Sequence, residues 1–489
     1  MRESGILMHI TSLPSPHGVG TMGKAAYEFI DFLEKAGQSD WQILPVTPTG
    51  YGDSPYQSCS TYAGNHYLID LDLLVKEGLL EEKEVTAKDW GTDEERVDFG
   101  KLYANRLAVL RLAFDRFEEE EKLDAFCREN GGWLPDFALF MALKEANGGK
   151  PWYQWEEKLK HRDPDALWAM RKQLKSEIRF HSFVQYLFQT QWENLRAYAH
   201  DHGIKIIGDV PIYVPLDSAD VWSNPELFQL DEKLDSVAVA GCPPDGFSAD
   251  GQLWGNPLYQ WERHQDDGYN WWIRRMAAAG QRYDVVRIDH FRGFESYWSV
   301  PYGDKTARNG AWCKGPGLAF IRALQEALPE VKMIAEDLGF LTQEVLDLRD
   351  DSGLPGMKVL EFAFDAREPS DYLPHTYHAN TVCYTGTHDN MTMRQWFENA
   401  SADAVAYATE YMSLSEKEGL VWGTIRTAMA SVSNLCVVQM QDYLDLGAAA
   451  RMNFPGTQSS ANWTWRAKPG YLTDALAQRI ARLTKLYGR

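Results

Sequence analysis

The sequence predicts an α/β fold, a (β/α)8 barrel carrying large, mostly helical insertions on its C-terminal face. Three observations lead there. Eight short apolar runs are spread along the 489 residues, continuous rather than alternating, as a parallel sheet buried on both faces requires. Amphipathic helix patterns lie between several of them. Two gaps between runs are too wide for one strand–helix unit, and both follow a strand, so both emerge at the end of a barrel where active sites lie.

The runs, in order, are "GILMHITS" near 5, "WQILPV" near 41, "IKIIGDVPIYV" near 204 and "YDVVRIDHF" near 283. Then come "VKMIAEDLG" near 331, "GMKVLEFAF" near 356, "TVCYTGTHD" near 381 and "NLCVVQMQDYL" near 434. The helical patterns are "KAAYEFIDFLEKAG" at 24, "WWIRRMAAAG" at 271, "GLAFIRALQEAL" at 317 and "LTQEVLDLRDDSG" at 341. The wide gaps are about 58–200, helical in pattern with aromatic clusters, and about 215–265, rich in Gly, Pro and Trp. The chain therefore reads as one elaborated barrel over 1–489, with a helical insertion after the second strand and a further insertion after the third. The competing reading makes 75–200 an independent helical domain.

Composition narrows the function. Apolar residues make up 44% and charged residues 24%, enough for a large core and no sign of disorder. A net charge of -21 repels phosphate backbones, which argues against nucleic acid. The 18 tryptophans and 23 tyrosines suit either a Trp-rich core or the flat faces of sugar rings. Six cysteines without a close pair suggest neither a zinc site nor a disulfide framework and fit a reducing compartment. The apolar run at the start is five residues long, short of a signal sequence or a membrane span. No phosphate-binding loop or clean dinucleotide fingerprint appears. The expectations are a cytoplasmic protein, no cofactor, no metal and no membrane partner.

The chemistry concentrates at strand ends. In "VVRID", alternation puts Val285, Arg287 and Asp289 on one face and Val286 and Ile288 on the other. The apolar pair suits the surrounding helices, which leaves Arg287 and Asp289 facing the barrel mouth. A guanidinium there favours an ionised Asp289, the form that attacks a sugar carbon. A buried ion pair with only a structural role is the plain alternative. "MIAEDLG" brings a second acid, and alternation leaves open whether Glu336 or Asp337 faces inward; acids also favour helix starts. "YTGTHDN" brings Asp389 beside His388, in what is otherwise a polar turn. Three acids at three strand mouths converge if the barrel is real. Glycoside chemistry uses such acids as nucleophile, acid/base and stabiliser of an oxocarbenium-like transition state. Metal-assisted hydrolysis is the rival, because His9, His290 and His388 also lie at strand ends; it usually wants a His-x-His at the first strand, and "HIT" has His9 alone.

Together with "HITSLPSPHGVGTMG", "WQILPVTPTGYGDSPYQS", "IIGDVPIYV", "DGQLWGNPLY", "VVRIDHFRG", "IAEDLG", "GTHDN", "RMNFPGT" and "NWTWR", these motifs resemble, end to end and in order, the 4-α-glucanotransferases called amylomaltases or disproportionating enzymes, relatives of the α-amylases. The region 58–200 carries that resemblance only by position. The resemblance implies Asp289 as nucleophile, Glu336 (in preference to Asp337) as acid/base and Asp389 as transition-state stabiliser. It implies that Arg287 orients Asp289, and that Tyr56, Asp209 and His388 contact the donor sugar, with Asn256 and His290 among the substrate contacts. Trp254 is expected on a flexible loop over the cleft, Asn453 on a second covering loop, and Tyr51 at a second glucan-binding groove. The implied reaction moves α-1,4-glucan segments to the 4-hydroxyl of a glucan or glucose with retention, through a covalent glucosyl-enzyme. Glu336 is then expected to hold its proton more tightly than Asp289, whose affinity Arg287 lowers. The implied partners are maltooligosaccharides and α-1,4-glucans, for a monomer or homodimer. An amylase-like hydrolase is the first alternative and a silent glycan-binding protein the second.

Overall fold

The computed structural model describes every residue except 1, 51, 245–247, 340, 366, 368, 369 and 458. All eight expected runs form strands: β1 Glu3–Leu7, β2 Asp40–Gln42, β3 Lys205–Pro211, β6 Val285–Asp289, β9 Lys332–Ala335, β10 Gly356–Val359, β11 Thr381–Tyr384 and β12 Leu435–Gln439. They close into a parallel barrel in the order β1-β12-β11-β10-β9-β6-β3-β2. The register that matters for the site runs across β3, β6 and β9. Asp209 lies beside Arg287, and Arg287 beside Ile334.

The four expected helices form over Lys24–Lys35, Asn270–Arg282, Gly317–Ala327 and Gln343–Ser352. The first shows why: Ala26, Phe29, Ile30, Phe32 and Leu33 are buried, one stripe repeating every three to four residues. The helix Gln343–Ser352 stops at Gly353, whose left-handed backbone (φ 71°) ends the ladder.

Between β2 and β3 the chain is largely helical, with helices at Phe99–Asp115, Leu134–Ala146 and Lys175–Asp201 among others. The last packs against both Leu134–Ala146 and Lys24–Lys35. Two of its glutamines clasp the incoming chain. Gln185 bonds both the N–H and the carbonyl of Gly64 (2.6 and 3.0 Å), and Gln191 does the same for Asp70 (2.6 and 3.1 Å). Gly64 is required there, since a Cβ would lie 2.1 Å from the Phe188 ring. Apolar side chains of these helices, such as Val109, Phe140 and Phe183, belong to the same continuous cluster as Ile6, Val286 and Val437 of the barrel.

One part of the architecture differs from the sequence expectation. The Gly/Pro/Trp-rich stretch is not only loop: β4 Ala238–Cys242 and β5 Gln252–Pro257 pair within it. They continue into β7 Ser296–Pro301 and β8 Ala311–Lys314, which follow β6, in an antiparallel sheet of order β5-β4-β7-β8. Trp254, expected on a flexible loop, therefore stands in β5. The pairing is non-local, β4 joining β7 across an intervening barrel strand and helix, and Gly251 and Gly255 punctuate the run as turns do.

Candidate active site

β3 and β6 bring the first group together. Arg287 is buried and bonds Asp209 Oδ2 at 2.5 Å and Asp289 Oδ1 at 3.0 Å. Tyr56 donates its hydroxyl to the same Asp209 oxygen at 2.9 Å. The other Asp209 oxygen is buried without a partner among the described residues. Two carboxylates thus share one guanidinium, and Asp289 keeps its second oxygen for the cleft, with 27% of its side chain exposed.

β9 brings the second group. The residue that faces the site is Glu336, 9% exposed. Its Oε2 accepts the His290 N–H at 2.7 Å and its Oε1 the Leu338 N–H at 2.8 Å. The first bond needs an unusual backbone: His290 sits in the left-handed region (φ 54°), at a cost of about 1–2 kcal/mol for a non-glycine residue. Asp337 turns the other way, paired with Arg349 at 2.7 Å and accepting the Met357 N–H at 2.7 Å. The alternation that the sequence left open is therefore resolved in favour of Glu336.

The third group follows β11, in a turn five residues past Tyr384. Asp389 accepts the Asn453 amide at 2.6 Å and lies 3.4 Å from His388 Nε2. Asn453 also donates its N–H to the His388 carbonyl (3.1 Å), in an irregular segment after Ala450. His388 stacks on Tyr56 with ring centroids 5.1 Å apart, which links this turn to the Arg287 group.

Burial and charge set the protonation states. Burial pushes Glu336 up to about 7, against the pull of Arg287 and with help from Asp289. Burial likewise raises Asp289, to about 6, and the carboxylates of Asp209 and Asp389 add to the rise while Arg287 opposes it. Desolvation is the larger influence on Asp289, and Arg287 lowers it as expected without reversing the rise. The order is kept, Glu336 above Asp289. Asp289 opens onto the cleft, so water offsets part of its penalty. For Asp389 burial also disfavours the charge, yet His388 and Asn453 outweigh it and hold the carboxyl well below the usual range. Asp389 in turn raises His388, against burial. One acid is held near neutral, one is poised and one is firmly ionised, which is the differentiation that acid/base, nucleophile and charge stabiliser demand.

The remaining predicted residues fall as follows. Trp254 meets the His290 ring edge-on at 4.8 Å, and Asn256 accepts from Gln57 at 3.2 Å. Tyr51 lies outside the described residues. His9 stands apart in role: its Nδ1 accepts the Leu44 N–H at 3.3 Å, and burial lowers it to about 3. Among the described residues no three His, Cys, Asp or Glu side chains are grouped as metal ligands. Two residues of the cluster were not singled out from sequence. Trp463 lies 5.8 Å from Tyr56 and 5.9 Å from His388 by ring centroid. Arg451 ties the Asp389 carbonyl to the Asn453 carbonyl, each at 2.7 Å. Their signal was present, in "NWTWR" and "RMNFPGT", but a tryptophan or arginine in a loop has many plainer uses.

Comparison with known proteins gives a consistent picture. A family model described as 4-alpha-glucanotransferase matches residues 8–473. The 4-alpha-glucanotransferase of Clostridium butyricum is 48% identical over 486 residues, spanning 99% of this chain and all of that one. Its counterpart from Thermus thermophilus is 47% identical over 497 residues, spanning 99% and 98%. Among solved structures, the amylomaltase from Streptococcus agalactiae in complex with acarbose superposes over the whole of both chains, with a TM-score of 0.98 at 43% identity.

Proposed function

This chain belongs to the 4-alpha-glucanotransferase family, and we propose that its transfer of α-1,4-glucan segments runs through Asp289, Glu336 and Asp389. The observation that carries the reading is the differentiation of these three acids around one cleft. Glu336, held near neutrality by burial, donates its proton to the glycosidic oxygen as that bond breaks. Asp289, oriented by Arg287, attacks the anomeric carbon and forms a covalent glucosyl-enzyme. Asp389, kept ionised by His388 and Asn453, stabilises the positive charge that develops on the ring. The departing glucan leaves. The 4-hydroxyl of an acceptor then enters, Glu336 removes its proton, and attack on the same carbon from the vacated side restores the configuration.

The unpartnered Asp209 oxygen, Tyr56 and His388 bind the donor ring. Trp254, Asn256, His290 and Asn453 contact the chain around it. Transfer rather than hydrolysis requires the intermediate to meet a sugar more often than water, and the aromatic surroundings of Trp254, Tyr56 and Trp463 favour sugar. The acceptors and donors are maltooligosaccharides and longer α-1,4-glucans, and a relative was solved with acarbose bound. A cytoplasmic setting is supported by six cysteines that form no disulfide. Among the described residues no helix is long and apolar enough to cross a membrane.

Incubation with maltotriose tests the reading. Glucose plus a ladder of maltodextrins longer than the substrate is the expected product pattern. Glucose and maltose with nothing longer would mean hydrolysis and overturn it.

A further inference from the structure

The β5-β4-β7-β8 sheet has a face that the mechanism above does not use. Residues directly opposite one another in antiparallel strands carry their side chains on the same face. The register sets Leu253 opposite Gly241, Gly241 opposite Trp298, and Trp298 opposite Trp312. These four form one row across the sheet. The two faces belong to different apolar clusters: Ala240 and Tyr297 join the main core. Val239, Val300 and Ala307, with Trp298 against them, form a small separate one. The row thus lies on the face turned away from the main core.

Trp312, at the end of that row, is 43% exposed, and Leu253 is 37% exposed. Trp312 is nevertheless held. Trp298 packs edge-on against it with ring centroids 5.1 Å apart. The Arg292 guanidinium lies 4.1 Å from its ring centre and is itself bonded to Ser296 Oγ at 3.3 Å. A large aromatic braced on two sides and still open to solvent offers a flat apolar face at little entropic cost, which is what a sugar ring stacks on.

The row also connects to the site. Arg292 follows His290 by two residues, in the same turn whose N–H bonds Glu336, and Glu336 is among the groups that favour its charged form against burial. Leu253 directly precedes Trp254 in β5, so the strand carries the row on one face and Trp254, which packs against His290, on the other. We propose that Trp312, braced by Arg292 and Trp298, is an outer acceptor subsite that stacks on a glucose unit of the incoming α-1,4-glucan, on the Glu336 side of the cleft. The proposal rests on the glucanotransferase reading and adds to it a residue that reads acceptor length.

The test is transfer from α-maltosyl fluoride to acceptors from glucose to maltoheptaose, using the full chain and Trp312→Ala. The expected result is a loss in kcat/KM for acceptor that deepens with acceptor length, reaching about tenfold for maltoheptaose. Trp312→Phe should recover most of it, with unchanged Tm in both variants. Trp168→Ala, on an exposed tryptophan of the helix Pro164–Gln173, should keep the wild-type length dependence. An equal loss for glucose and maltoheptaose, or no loss for either, would overturn the subsite. Failure of the unaltered protein to transfer to any acceptor would instead overturn the glucanotransferase reading itself.

Discussion

Glu336 and Asp337 are neighbours in sequence, alike in charge and both buried, yet a strand's alternation gives them opposite surroundings. Glu336 is met by two backbone N–H groups and the cleft, Asp337 by Arg349 and the next strand. Their amide variants should therefore separate two kinds of loss. Glu336→Gln removes the proposed general acid, so kcat on maltotriose should fall by about 10²–10⁴-fold while Tm stays near wild type. Asp337→Asn leaves Arg349 without its buried counter-charge, so Tm should drop while the folded fraction keeps most of its kcat. The protonation order predicts a pH profile as well. The proposed mechanism needs Asp289 ionised and Glu336 protonated in the free enzyme. The kcat/KM should therefore fall on the acid side as Asp289 gains a proton, around pH 6, and on the alkaline side as Glu336 loses one, around pH 7. Arg287 opposes the rise at Asp289, so Arg287→Lys, which keeps the charge but loses the fixed geometry, should move the acid limb to higher pH.

The barrel strands were legible in the sequence because burial on both faces writes itself as a continuous apolar run, and each run here is followed by a polar or Gly/Pro break. The helices at 24, 270, 317 and 343 were legible through their stripes. The four-stranded sheet was not. Its strands "AVAGC" and "AWCK" are short, and "QLWGNP" carries a Gly and a Pro. Their partners lie beyond β6, so no local pattern announces the pairing. For the same reason Trp254 read as a loop residue and Trp312 drew no notice. Arg287 and Asp289 were legible because alternation alone fixes their side of the strand. The contribution of burial to Asp289 was not, since desolvation depends on what the whole site excludes.

A second buried acid behind the Asp389 turn belongs to this scale. Glu361, at the mouth of β10, accepts the Met391 N–H at 3.4 Å and has an oxygen with no partner among the described residues. Burial raises it to about 8. The folded protein then keeps a proton that the unfolded chain has already lost between the ordinary carboxylate range and about pH 8. Its contribution to stability falls as pH rises through that window. Glu361→Gln has no such loss, so the Tm of the variant minus that of wild type should grow more positive from pH 5 to pH 9. A difference that stays flat would show that Glu361 ionises freely.

Across the whole molecule one apolar cluster joins the barrel to the helices of the 71–201 region, so the groups of the cleft are held by a single packed body. The groups around the three acids follow barrel strands in the chain: Tyr56 after β2, His290 after β6, Leu338 after β9 and His388 after β11, with Asn453 after β12. In the proposed mechanism aromatic and polar contacts hold the glucan chain and three carboxyl groups meet the reacting carbon. The most direct test is to trap the intermediate they are proposed to form. Glu336→Gln, treated with 5-fluoro-α-glucosyl fluoride, needs no acid to expel fluoride and lacks the base that would release the sugar. Peptide mass mapping should then find one fluoroglucosyl adduct on the segment containing Asp289. An adduct on any other residue, or turnover with no adduct, would contradict the account.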